Sequence, residues 1–142
     1  MGKFKTALMA LAFAGAALVG TANANTFRWA ADTDPGSMDP HSRNVTATLS
    51  FMSNIYEGLV RRNRELQLEP SLALSWQNTA PDTWRFVLRR NVRFHDGSPF
   101  TADDVVFSYE RARAPGSLMA TSFQTVREIR KVDDFTVEFV TN

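Results

Sequence analysis

Two neighbouring carboxylates, Asp103 and Asp104, and two histidines, His41 and His95, are the side chains of this sequence best suited to acid–base or metal chemistry. A catalytic carboxylate pair must converge on one substrate atom. Consecutive residues on a helix instead point about 100° apart. The run Thr101-Ala102-Asp103-Asp104 reads better as a capping box, in which the threonine hydroxyl serves an orphan amide and Asp104 reaches back to the cap. Both aspartates also suit the positive end of the helix dipole. The histidines fall in separate turns without carboxylates at ligand spacing, so they make a poor metal site. Cysteine is absent from the sequence, which excludes disulfides, thiolate catalysis and cysteine-ligated zinc within it. Neither Gly-x-Ser-x-Gly, a phosphate-cradling glycine loop nor His-Glu-x-x-His occurs. No catalytic residue, no metal ligand and no cofactor is therefore assigned, and enzyme activity is not expected.

The elements that would carry a binding site can be followed along the chain. Thr26–Ala31 is rich in β-formers and reads as a strand, closed by the turn cluster Asp32-Thr33-Asp34-Pro35-Gly36-Ser37. Leu49, Met52, Ile55, Tyr56 and Leu59 recur at helical spacing and predict a helix from about Thr46 to Glu57, with Asn44 or Thr46 as its cap. Short strands are expected at Leu59–Arg62 and Leu66–Leu68, then one helical turn opening on Pro70. Leu74–Asn78 and Thr83–Arg89 read as a hairpin that sets Trp84, Phe86 and Leu88 on one face. Val92 and Phe94 add a brief strand, closed by His95-Asp96-Gly97-Ser98. The capped helix from Thr101 presents Val105, Val106, Tyr109 and Ala112, and stops at Pro115-Gly116. A last hairpin pairs Val126–Val132 with Thr136–Val140 around Asp133-Asp134, with Phe135, Val137 and Phe139 facing the core. The fold class expected is α/β (α+β), a mostly antiparallel sheet with flanking helices.

The first 24 residues have the physics of an export signal. Lys3 and Lys5 precede an apolar run, Ala7 to Val19, and Ala22-Asn23-Ala24 offers small residues for cleavage before Asn25. Thirteen residues at helical rise span about 20 Å, short of the roughly 30 Å of a bilayer core. Removing the leader takes both lysines with it, so the net charge falls from +1 to −1. Arg61, Arg62, Arg64 and the Arg89-Arg90 pair lie among acidic residues, and no nucleic-acid partner is expected. With no cysteine to carry a lipid anchor, the mature protein is expected free in the periplasm.

Several stretches, in order, resemble the family 5 extracellular solute-binding proteins of ABC importers, the oligopeptide, dipeptide and nickel receptors. They are Ser37-Met38-Asp39-Pro40-His41, Tyr56-Glu57-Gly58-Leu59-Val60, Pro70-Ser71-Leu72-Ala73 with Ser75-Trp76, and Trp84-Arg85-Phe86 with Leu88-Arg89. The densest is Val92 through Ser108. The resemblance implies a periplasmic binding protein type II-like fold, of which this chain would hold the N-terminal part. Residues 25–43 would be the first strand and loop of lobe I, residues 44–142 an incomplete inserted α/β domain, and the second lobe would be absent. It also implies the partners: a small solute, a peptide above all, and the importer's permease subunits at the inner membrane. By position in the family, Arg43, Asn44, Val45, Thr46 and Thr48 would line the ligand cleft. On the residues alone, Asn44 and Thr46 could simply cap the next helix and Arg43 stand in solvent. Two other functions stay open from sequence, the front of a secreted hydrolase and a periplasmic interaction module.

Overall fold

The computed structural model describes Thr26, Arg28, Ala30 and residues 33–142. The leader, and most of the strand expected at Thr26–Ala31, lie outside these residues. Every regular element described belongs to one compact unit, Thr33–Asn142.

In chain order the elements are α1 (Thr46–Met52), β1 (Val60–Arg62), β2 (Leu68–Pro70), β3 (Ala73–Ala80), β4 (Thr83–Leu88), α2 (Ala102–Arg113), a 3₁₀ turn (Ala120–Phe123), β5 (Val126–Asp133) and β6 (Thr136–Thr141). Strands β1 and β2 form a small hairpin, and the others form a four-stranded sheet in the order β3-β4-β6-β5. Every pairing is antiparallel, as expected from sequence.

Register explains which face is buried. Trp84 stands opposite Phe139, which stands opposite Ile129, while Phe86 stands between Trp76 and Val137. Side chains paired directly across antiparallel strands share a face, so this face is a band of rings and branched chains. Phe86 meets Phe139 edge-on at 5.3 Å and Tyr109 of α2 meets Phe139 at 5.8 Å, which places α2 on the apolar side. Its Ala102, Val105 and Tyr109 join Ala73, Leu88, Phe100, Ile129 and Val137 in the core. Tyr109 keeps its hydroxyl satisfied by donating to the Val126 carbonyl at 2.8 Å. On the other face Gln77, Arg85, Glu138 and Arg130 lie in one cross-strand row. Arg85 there donates twice to Glu138 Oε1, at 2.9 and 2.7 Å.

Helix α2 starts where the capping box places it, with Asp104 accepting from the Thr101 backbone N–H at 2.7 Å. Its end at Arg113 precedes Pro115-Gly116, also as expected. Other boundaries moved. Helix α1 stops at Met52 and not Glu57, because Ser53 Oγ and Asn54 Nδ2 donate to the Ser50 carbonyl, and Asn54 also to Phe51. Its cap is Val45 in an extended conformation, with no side-chain cap bond, so neither Asn44 nor Thr46 serves.

The helical turn expected at Pro70–Ala73 is absent. Pro70 ends β2, and the amides of Ser71, Leu72 and Ala73 bond to the carbonyls of Leu59, Gly58 and Leu59. That extended pairing uses donors a helical turn would have turned inward. The strand expected at Leu66–Leu68 sits two residues later, because Leu66 takes a positive φ of 64° in the hairpin turn. The Val92–Phe94 strand reduces to a single bridge, Arg93 to Pro99. Gly97, at φ 89°, and the Asp96 carboxylate, bonded to Ser98, tighten that loop.

Candidate functional site

The segment running from Thr33 into α1 is irregular, so side chains fix its path. Asp34 Oδ1 accepts from the Gly36 amide, and the Thr48 hydroxyl donates to the Pro35 carbonyl at 3.1 Å. Gly36 has φ 68°, and a Cβ there would meet the Arg43 guanidinium at 2.8 Å. The positive φ is what favours glycine here; the guanidinium is the far end of an exposed, flexible side chain and can move aside. Tyr56 donates to the Met38 carbonyl at 3.0 Å and Asn44 Nδ2 donates to Ser122 Oγ at 3.3 Å.

The strongest tie comes from α2. Arg111 grips the Asp39 carboxylate with both terminal nitrogens, and Nη1 also lies 2.8 Å from His41 Nδ1. A guanidinium only donates, so His41 Nδ1 is the acceptor and its ring proton sits on Nε2. The guanidinium bonds hold the Asp39 carboxyl far below the usual carboxylate range. Burial first, and the Arg111 charge second, push the His41 imidazole below its ordinary value. Both groups are thereby kept in the protonation state the contact needs.

Next to this tie lies an open cavity of about 1120 Å³. The turn Met38–His41 supplies one wall, Phe107, Ser108 and Arg111 of α2 another, and Phe94 and His95 a third. Phe107 is 67% exposed there, an unusual position for a large apolar ring.

The structure places the five cleft candidates together but not alike. Arg43, Asn44, Val45 and Thr46 are consecutive and exposed. Arg43 has no hydrogen bond or ion pair among the described residues. Thr48 is 3% exposed and its hydroxyl is spent on Pro35, so it supports this wall from behind. None of the five lines the cavity, which opens beside the turn preceding them.

The other candidates for chemistry separate. Asp103 pairs with Lys131 at 2.7 Å while Asp104 is held in the cap, so the adjacent carboxylates diverge as the helical geometry requires. Among the described residues no group of three or more His, Asp or Glu gathers where a metal could sit, and no helix is long and apolar enough to cross a membrane. Locally, Arg111 is a cation in the last turn of α2, where the helix dipole favours one; its partnership with Asp39, 72 residues away, carries no local signature.

Comparisons with known proteins agree on one relationship. Residues 67–142 match the family model described as bacterial extracellular solute-binding proteins, family 5 Middle. The chain is 33% identical over 85 residues to the periplasmic murein peptide-binding protein MppA of Escherichia coli, covering 60% of this chain and 16% of that protein. It is 38% identical over 86 residues to the periplasmic oligopeptide-binding protein OppA of Haemophilus influenzae, covering 59% and 16%. Among solved structures, OppA of Burkholderia pseudomallei superposes with a TM-score of 0.72 at 29% identity, over 75% of this chain and 24% of that one. The chain thus spans about one sixth of the length of these curated relatives.

Proposed function

Since this chain belongs to the bacterial extracellular solute-binding proteins of family 5, we propose that it takes part in capturing a peptide or similar small solute in the periplasm and passing it to the permease of an ABC importer. The observation that carries the reading is the family match over residues 67–142, with similarity to proteins named for binding oligopeptides and murein peptide. The chemistry agrees with it. Solute receptors work through backbone groups and a few side chains on a cleft wall, and the two adjacent carboxylates here, Asp104 and Asp103, are engaged in a cap and an ion pair. The protein is accordingly a binder and not an enzyme. Residues 25–43 are read as the first strand and loop of the first lobe and residues 44–142 as its inserted domain, with Arg43 from the former and Asn44, Val45, Thr46 and Thr48 from the latter contributing to the solute wall, the first four by contact and Thr48 by support. Export through the leader, with cleavage between Ala24 and Asn25, delivers it to the compartment of its relatives.

The test is a titration of the ¹⁵N-labelled exported protein with short peptides at millimolar concentration, followed by amide shifts. Saturable shifts centred on residues 43–46 are expected. Peptide-independent spectra, or shifts confined to the far side of the sheet, would refute the assignment.

A further inference from the structure

The Asp39-Pro40-His41 turn is separated by one residue, Ser42, from the exposed run Arg43–Thr46, yet its anchor is on α2, 70 residues away in sequence. We infer that Arg111 is the positioning residue of the solute wall: by gripping the Asp39-Pro40-His41 turn it sets where Arg43, Asn44, Val45 and Thr46 stand. The inference rests on the proposed reading of that run as solute-contacting.

The geometry supports it link by link. Arg111 projects from the last turn of α2, whose neighbouring residues Tyr109 and Ala112 are buried, so the guanidinium starts from a fixed base. It meets three acceptors at once: both oxygens of Asp39, and Nδ1 of His41. Three acceptors met by two terminal nitrogens suit the guanidinium fork and not the point charge of a lysine. Pro40 locks its own φ between the two gripped residues.

From Asp39 the constraint passes directly onward. Its carbonyl accepts from the Ser42 amide at 3.2 Å and the Ser42 hydroxyl at 2.8 Å, and Arg43 follows immediately, lying across Gly36. Downstream the run is continuous with α1, where Leu49 donates to the Val45 carbonyl at 2.9 Å. Without Arg111 the remaining ties are the single bonds Tyr56 to Met38, Thr48 to Pro35 and Asn44 to Ser122. The Asp39-His41 turn then keeps its internal bonds, among them the His41 amide to Asp39 Oδ1 at 2.9 Å and Ser42 to the Asp39 carbonyl, but no hydrogen bond or ion pair to α2 among the described residues.

The experiment compares the exported protein from the full 142-residue chain with its Arg111→Lys and Arg111→Ala variants, using three readouts. Urea unfolding monitors the core. The His41 ring titration by NMR reports the grip directly. The peptide-induced shifts at residues 43–46 report the wall. In both variants the urea midpoint is expected to stay near the parent's, because Arg111 lies outside the core. The His41 pKa should rise in Arg111→Ala, because a neighbouring cation is removed while Asp39 stays. The peptide-induced shifts should fall at least threefold in Arg111→Ala and recover only partly in Arg111→Lys.

A parent-like His41 titration in Arg111→Ala overturns the inference. So does a parent-like peptide response in that variant, and so does equal loss of urea stability and peptide response, which would make Arg111 merely structural. A parent protein that gives no peptide shifts sinks the functional reading and this inference with it. The His41 titration would then still show whether the grip exists.

Discussion

At Asp39 and His41 the protonation state decides whether the turn stays tied to α2. His41 must be neutral at Nδ1 to accept from Arg111, and Asp39 must be ionised. Burial and the Arg111 charge lower the folded pKa of His41 from its ordinary 6.5, so the unfolded chain binds this proton more readily than the folded one. Stability then rises with pH over that interval: the contribution is complete above about pH 6.5 and is lost as pH falls toward the folded value. Asp39 acts with the same sign in a lower window. Its folded pKa lies far below the ordinary 3.8, so its contribution is present above that value and disappears below it. Amide protection at residues 39–43, taken relative to the intrinsic exchange rate at each pH, should therefore fall in two steps on acidification, the first beginning near pH 6.5. In His41→Ala the upper step should vanish and the lower one remain. A single step near pH 4 in the parent would show that His41 does not take part.

Among the elements, the features read correctly in advance were those written locally. Thr101 and Asp104 lie three residues apart at a helix start, and the alternation through Trp84, Phe86 and Leu88 marks one face of a strand. Removing the Asp104 side chain leaves the Thr101 amide without its acceptor, and Asp104→Ala should cost about 1 kcal/mol. Leu88 is 1% exposed at the end of the inner strand β4 and belongs to the core, and Leu88→Ala should cost about 2–5 kcal/mol. Urea unfolding of the two variants should separate these values, and a larger loss for Asp104→Ala would mean that the cap is not its main role. What sequence left hidden depended on partners elsewhere in the chain. Pro70-Ser71-Leu72-Ala73 resembles a helix start locally, but the Gly58-Leu59 carbonyls draw its amides into extended pairing. The shortening of α1 came from Ser53 and Asn54, whose side chains compete for the helix's own carbonyls. At the site, the family resemblance pointed to residues 43–48, while the anchoring of that run by Arg111 and Tyr56 became visible only once distant elements were placed together.

Across the whole molecule, binding strength is governed by how much of a solute the wall can cover. Ligand sites bury roughly 70–90% of a small ligand's surface between facing walls. The described residues offer an open cavity and one exposed run, Arg43–Thr46, rather than two closing faces. The chain spans 16% of the length of the relatives named for peptide binding. If a two-walled receptor held its solute at about 1 μM, its binding free energy would be about −8.2 kcal/mol. Coverage from one side, contributing about half of that, corresponds to roughly 1 mM. A wall open to solvent does not exclude water, which weakens each charged contact that Arg43 could make. Calorimetry on the exported 142-residue chain product should accordingly detect no heat at micromolar peptide, while the amide shifts saturate in the millimolar range. A dissociation constant of a few micromolar would overturn the one-wall account. It would point to the cavity beside the Met38–His41 turn and α2 as a complete site in its own right, since that concavity is lined by several separate segments of this chain, residues 55–59 and Phe139 among them.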